Sequence, residues 1–156
     1  MRSLCLRDTE SRTLAETGEC EIHRAVKPQP EYVAGTVWSW HFPKPDRYGV
    51  SGTTGCEEGL LIGLRDYCPL GQLGEQRWVR ETWAQNWKEQ TITRAEWDIL
   101  YDMLSLPTTV SADTVDWRPA ITMPRWASRF TVEVVSTDVF VRDGVWYWRA
   151  RVRRVE

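Results

Sequence analysis

The sequence predicts an α+β fold: a small, partly open β-barrel carrying two or three short helices. Three observations lead there. Several short segments alternate apolar and polar residues, as strands do. Their links are irregular and rich in Gly and Pro. One segment carries a full helix signature with a cap at its start. A chain of 156 residues fits a single domain, 1–156, and can bury a core. Ten tryptophans are available to fill a barrel interior. Each indole buries a large area and needs a partner for its N–H. Most are expected in the core, with one or two on a functional surface.

The elements follow in order. Residues 8–17, DTESRTLAET, read as a short helix capped by Asp8 or Thr9 and ended by Gly18. IHRAV is extended and is stopped by KPQP at 27–30, where Pro28 and Pro30 forbid a helix. TVWSWHF at 36–42 alternates as a strand. Residues 43–76 are rich in Gly and Pro, lack periodicity and read as a long irregular segment, with CPLGQLGE at 68–75 forming turns. Residues 74–84, GEQRWVRETWA, read as one strand. Thr93 and Glu96 form a capping box, and Trp97, Leu100, Tyr101 and Leu104 make one apolar helix face before Pro107. A mobile loop is expected at 108–116, and an irregular stretch broken by Pro119 and Pro124 at 117–129. FTVEVVS is a strand, and 140–155 a hairpin turning on RDG. Its last strand puts Trp146, Trp148, Ala150 and Val152 on one face, with Tyr147, Arg149, Arg151 and Arg153 on the other.

Charge constrains the partners. The net charge of −2 argues against strong non-specific nucleic-acid binding. The distribution is uneven: residues 1–117 sum to −6, and residues 118–156 to +4. A local basic face suits a selective nucleic-acid contact, and equally a solvated strand. Four cysteines show no C-x-x-C pairing. No signal peptide is read at the start, and no apolar run approaches the ~20 residues that span a bilayer. These features predict a cytoplasmic protein with free thiols, no membrane contact and no cofactor. Cysteines with His23 and His41 match no common zinc spacing, so no metal is expected.

The chemistry centres on Arg80 and Glu81. Alternation puts Arg80 on the face of Trp78, and Glu81 on that of Val79 and Trp83. A charge beside tryptophan on a covered face must meet a counter-charge, a backbone group or a ligand. A carboxylate can accept from the exocyclic amino group of a base, and arginine can grip phosphate or carboxylate with two donors. The plain alternative is an ion-paired edge strand. A second constellation is Arg125, Trp126, Ser128 and Arg129, a Pro-led turn that can stack a base on its indole. Its alternative is a Trp126 that plugs the barrel mouth beside solvated arginines. Phosphate loops, dinucleotide fingerprints and a nucleophile elbow are absent, and neither histidine has an evident catalytic partner.

Three segments then suggest a family. HRAVKPQP (23–30), CPLGQLGEQRWVRETWA (68–84) and WRPAITMPRWASRFTVEV (117–134) together resemble ASCH-domain proteins, relatives of the PUA domain, in the form common in bacteriophages and prophages. The match touches both ends and the centre of the chain, in order. The 43–67 loop and the 93–105 helix are lineage-specific by this comparison. The resemblance implies a PUA-like barrel with a cleft for RNA or a modified nucleobase, in a bacterial host cell. It also brings an amidohydrolase acting on acetylated cytidine, and a ribonuclease activity. The amidohydrolase branch uses a lysine, threonines and a glutamate. The glutamate falls on Glu81, but the lysine falls on Glu19 and the threonines on Cys20 and Ile22. A carboxylate in the amine's place cannot hold an oxyanion.

The leading expectation is therefore a catalytically degenerate module binding RNA or a modified nucleobase through Arg24, Lys27, Arg80 and Glu81. Trp83 or Trp126 would stack, with Arg125 beside them. Two alternatives stay open: a hydrolase acting on RNA or N4-acylcytidine with Glu81 as its catalytic residue, and a phage-encoded factor binding a host protein. Either a monomer or a homodimer fits.

Overall fold

The computed structural model describes residues 1–33, 37–42, 50–85, 91–97 and 115–155. The elements run β1 (Arg2–Cys5), α1 (Asp8–Thr17), β2 (Glu19–Ala25), β3 (Glu31–Val33), β4 (Val37–Phe42), β5 (Val50–Thr54), α2 (Glu57–Asp66), β6 (Gln76–Arg80), β7 (Trp83–Gln85), β8 (Thr91–Thr93), β9 (Thr131–Arg142) and β10 (Val145–Val155). Two 3-10 turns, Ala120–Thr122 and Arg125–Ala127, precede β9. The α+β class is as expected.

The barrel is not closed among the described residues. The main sheet has the order β1-β6-β9-β10-β2, and β3-β4-β5 and β7-β8 form separate small sheets. Strands β1 and β2 are the two edges of the main sheet. What joins them is side-chain chemistry instead of a ladder. Arg24 of β2 donates from Nη2 to the Cys5 carbonyl of β1 at 3.0 Å, and grips Glu10 of α1 with both terminal nitrogens at 2.6 and 2.7 Å. Arg7 N–H donates to the same Glu10 carboxylate at 2.8 Å. Hence the cap position is Arg7, one or two residues before the expected Asp8 or Thr9, and Glu10 does the capping. Gly18 ends α1 as expected.

The β9–β10 hairpin is the backbone of the sheet. Asp143 and Gly144, with φ of 52° and 75°, make the tight turn that such pairs favour. Trp146, Trp148, Ala150 and Val152 are all buried, and the arginine side of β10 faces outward. Each fully buried large apolar side chain contributes roughly 1.5–3 kcal/mol, so this one strand anchors much of the core. Strand β9 runs unbroken from Thr131 to Arg142, joining the predicted strand to the first arm of the predicted hairpin, and a register shift at Arg151/Val152 lets β10 follow it. Gln29 of the KPQP segment has a structural task. It accepts from Trp146 N–H at 2.7 Å, donates to the Trp146 carbonyl at 3.1 Å, and also donates to the Val26 carbonyl.

The segment read as a loop at 43–67 is corrected: it contains β5 and α2. Leu60 and Leu64 of α2 are fully buried one turn apart, and the Leu64 carbonyl accepts from Trp148 Nε1 at 2.9 Å. Gly63 hid this helix from a propensity reading, yet it is required. A Cβ there would collide with the Trp40 ring, so glycine lets α2 lie against the indole. Strand β1 also escaped the sequence reading, being short and paired parallel to the distant β6. The 93–105 helix begins where expected: residues 94–97 are helical and the Thr93–Glu96 box is made. Leu100, Tyr101, Leu104 and the 108–114 stretch lie outside the described residues.

Candidate functional site

The continuous strand predicted over 74–84 breaks after Arg80. Strand β6 ends there, Glu81 and Thr82 form the break, and β7 begins at Trp83. Arg80 does share the face of Trp78, and its guanidinium lies 4.8 Å from that ring's centroid. Glu81 is buried like Val79 two residues before it, 1% exposed. Its counter-charge is Arg129, which donates from Nε at 3.1 Å and Nη2 at 2.6 Å, one nitrogen to each carboxylate oxygen. This fork-to-fork pairing is the strongest geometry available to the two groups. Arg129 also reaches Glu96 from Nη1 at 3.3 Å. Glu96 in turn accepts from both N–H and Oγ1 of Thr93. One arginine thus ties the central strand to the start of the 93–97 segment. The Glu81 N–H points at Met123 Sδ, 3.3 Å away. Each Glu81 oxygen is thus held by one Arg129 nitrogen inside the protein, and the carboxylate is turned away from solvent.

The second constellation is open. Pro124 leads the turn Arg125–Ala127, and Trp126 stands on it 69% exposed. Far from plugging a barrel mouth, its ring rests edge-to-face on buried Trp83, with centroids 6.3 Å apart. Trp83 is held rigidly. Its Nε1 donates to Thr122 Oγ1 at 3.2 Å, Arg118 caps its ring at 5.0 Å, and its backbone N–H and carbonyl pair with Arg118. Ile121 lies beside these residues in sequence and is 71% exposed. Arg118 and Arg125 are also exposed. Arg80 supports the turn from below by donating Nη1 to the Ile121 carbonyl at 3.0 Å. The outcome is an exposed indole on a rigid aromatic base, with arginines around it. Such a surface suits a planar ring attached to an anionic chain.

The remaining predicted residues sit elsewhere. Arg24 is consumed in the bridge to Glu10 and Cys5 described above, and the Glu10 bond keeps its guanidinium more firmly protonated than usual. Lys27 is exposed and makes no hydrogen bond or ion pair among the described residues. Glu19 lies on the outer side of the sheet, opposite Arg153. Ile22 is fully buried. Cys20 is buried too, and burial first, then the charge of Glu10, pushes its thiol up to about 12. It is no nucleophile at neutral pH. Among the described residues no group of three or more His, Cys, Asp or Glu could hold a metal. No helix there is long and apolar enough to cross a membrane.

Sequence reasoning named Arg80, Glu81, Trp83, Arg125 and Trp126, and the structure gathers these around the β6–β7 break and the turn that faces it. It does not bring Arg24 into contact with that group through any described side chain, except that Cys5, the acceptor of Arg24, pairs with Arg80 across β1 and β6. Two residues take roles the sequence does not suggest. Arg129, expected in the Trp126 constellation, is the partner of Glu81. Arg118 was not singled out. Its place beside Pro119 was a weak signal, because nothing in the local pattern says that β7 will pair with it. Comparison of the chain with protein-family models, with curated proteins and with solved structures found no match in any of the three.

Proposed function

We propose that this chain is a catalytically degenerate binding module of the PUA-like, ASCH type that recognises single-stranded RNA or a modified nucleobase. The reading rests on one observation above all: Trp126 is 69% exposed while packed edge-to-face on the fixed ring of Trp83. Leaving a large ring in water is unfavourable, and a preformed stacking surface gives a reason for it. Arg118 and Arg125 supply the charge that a phosphate chain needs. Stacking of one base contributes ~1–3 kcal/mol.

A hydrolytic role gains no support. The one family carboxylate retained, Glu81, is occupied by Arg129, and Glu19, Cys20 and Ile22 stand where the amine and hydroxyls would be needed. Intrinsic tryptophan fluorescence, titrated with single-stranded RNA oligomers and with modified nucleosides, tests the proposal. Saturable quenching that weakens as salt is raised supports it. A folded protein with no response across the whole set rules it out. N4-acylcytidine turnover that vanishes in Glu81→Gln would instead restore the hydrolase.

A further inference from the structure

A second opening lies on the other side of Arg80. It is a cleft of about 810 Å³ between the β1–β6 edge and the turn that follows α2, and its walls include Arg2, Arg77, Arg80, Asp66, Tyr67 and Trp78. That volume matches sites for whole small molecules. Four buried side-chain polar atoms lack a hydrogen-bond partner among the described residues, and two of them, Arg77 Nε and Arg80 Nε, belong to this wall. An unpaired buried donor is costly and calls for an explanation.

The charges can be sorted. Arg77, 5% exposed, gives Nη1 to the Pro69 carbonyl at 2.7 Å and Nη2 to Glu75 at 3.1 Å. Glu75 also accepts from Gln72 N–H at 3.1 Å. Burial works against the Glu75 carboxylate, yet Arg77, the Gln72 N–H and Arg2 together hold it below its ordinary range. Glu75 and Arg77 thus neutralise each other. Arg80 spends only Nη1, on Ile121, so its Nε–Nη2 edge has no partner. Nη2 is the Arg80 nitrogen left for an oxyanion, and a charge-assisted bond from it is a strong one. Arg2 has no hydrogen bond or ion pair among the described residues. Two side-chain cations therefore remain for the cleft, against one carboxylate, Asp66.

We propose that this cleft binds a phosphate monoester of mononucleotide size. Arg80 and Arg2 take the phosphate, the exposed ring of Tyr67 meets the planar part, and Asp66 accepts from a hydroxyl or amino group. Free phosphate would fill only a corner of the volume. The site touches the Trp126 turn only through the Arg80 bond to the Ile121 carbonyl and makes no use of the Trp126 ring.

Calorimetric titration of the full chain with AMP, CMP, the parent nucleosides and inorganic phosphate tests this. The monophosphates are expected to bind one per chain, at least about tenfold more tightly than nucleosides or phosphate alone. Arg2→Gln, at an exposed edge position, should weaken monophosphate binding by a similar factor while lowering the melting temperature only slightly, because Arg2 also favours the Glu75 carboxylate. Trp126→Ala should leave it intact, which separates failure here from failure of RNA binding. The proposal is overturned by nucleosides binding as well as monophosphates, by phosphate binding as well as either, or by an unaffected Arg2→Gln variant. Absence of saturable binding below about 10 mM, a Kd too weak for two guanidinium contacts, overturns it as well.

Discussion

Arg129→Ala leaves Glu81 buried with no counter-charge. Glu81 is 1% exposed and loses bonds of 2.6 and 3.1 Å. Removing one partner of a buried pair costs about 3–5 kcal/mol. The Arg129 side chain is itself 21% exposed, so water partly replaces it and the lower end, about 3 kcal/mol, is expected. With a urea m-value of about 2 kcal/mol/M, the unfolding midpoint should fall by about 1.5 M. The second arm of the test is Glu81→Gln in the Arg129→Ala background. It removes the stranded charge and should recover at least about 1 kcal/mol, which makes the two changes strongly non-additive. Arg129→Lys should land between, since an ammonium cannot reproduce the fork. A loss under about 1 kcal/mol for Arg129→Ala, or no relief from Glu81→Gln, would refute a buried carboxylate held by one arginine.

Three further outcomes are expected. Gly63→Ala should lower stability by about 1–2 kcal/mol despite alanine's better helix propensity, because its methyl meets the Trp40 ring; a raised melting temperature would contradict that packing. At pH 8 a thiol reagent should label exposed Cys5 and Cys56 in the native protein and leave buried Cys20 and Cys68 for the unfolded chain. Cys56 should react first, since the Gly59 N–H and the Thr54 hydroxyl hold its thiol below the usual range; native labelling of Cys20 would refute its burial. Asp138 is held below its ordinary 3.8 chiefly by its bond to Arg149. The folded value being the lower one, its stabilisation is present above 3.8 and fades as pH falls through the folded value. Asp138→Asn should therefore cost about 0.5 kcal/mol at neutral pH, a surface-pair magnitude, and nothing in strong acid; an equal cost at both would show that charge is not involved.

Parts of the fold were legible because the signal was local. The α1 span, the two faces of β10 and the Asp143–Gly144 turn all follow from periodicity and turn chemistry within a few residues. The Thr93–Glu96 box is equally local. What the sequence concealed depended on distant partners. Strand β1 exists only through its pairing with β6, and α2 looked improbable because its glycines weaken a helix until Trp40 gives Gly63 a reason. The same division runs through the site. Alternation correctly put Arg80 with Trp78, since that contact is made within one strand. At Glu81, buried like Val79 and Trp83, it gave the face but not the partner. The pairing with Arg129 joins residues 48 positions apart, and no spacing rule connects them. Trp126 was legible as a presented ring from its Pro-led turn, whereas the Trp83 base beneath it required the β7 register.

The most direct measurement of the binding role is fluorescence anisotropy of a labelled single-stranded RNA oligomer with the native chain, Trp126→Phe and Trp126→Ala. If Trp126 stacks a base, Trp126→Ala should weaken binding by about 5-fold to 150-fold, the equivalent of 1–3 kcal/mol, and Trp126→Phe should restore most of it. Equal affinities for the native chain and Trp126→Ala would contradict the claim that this turn reads a nucleobase.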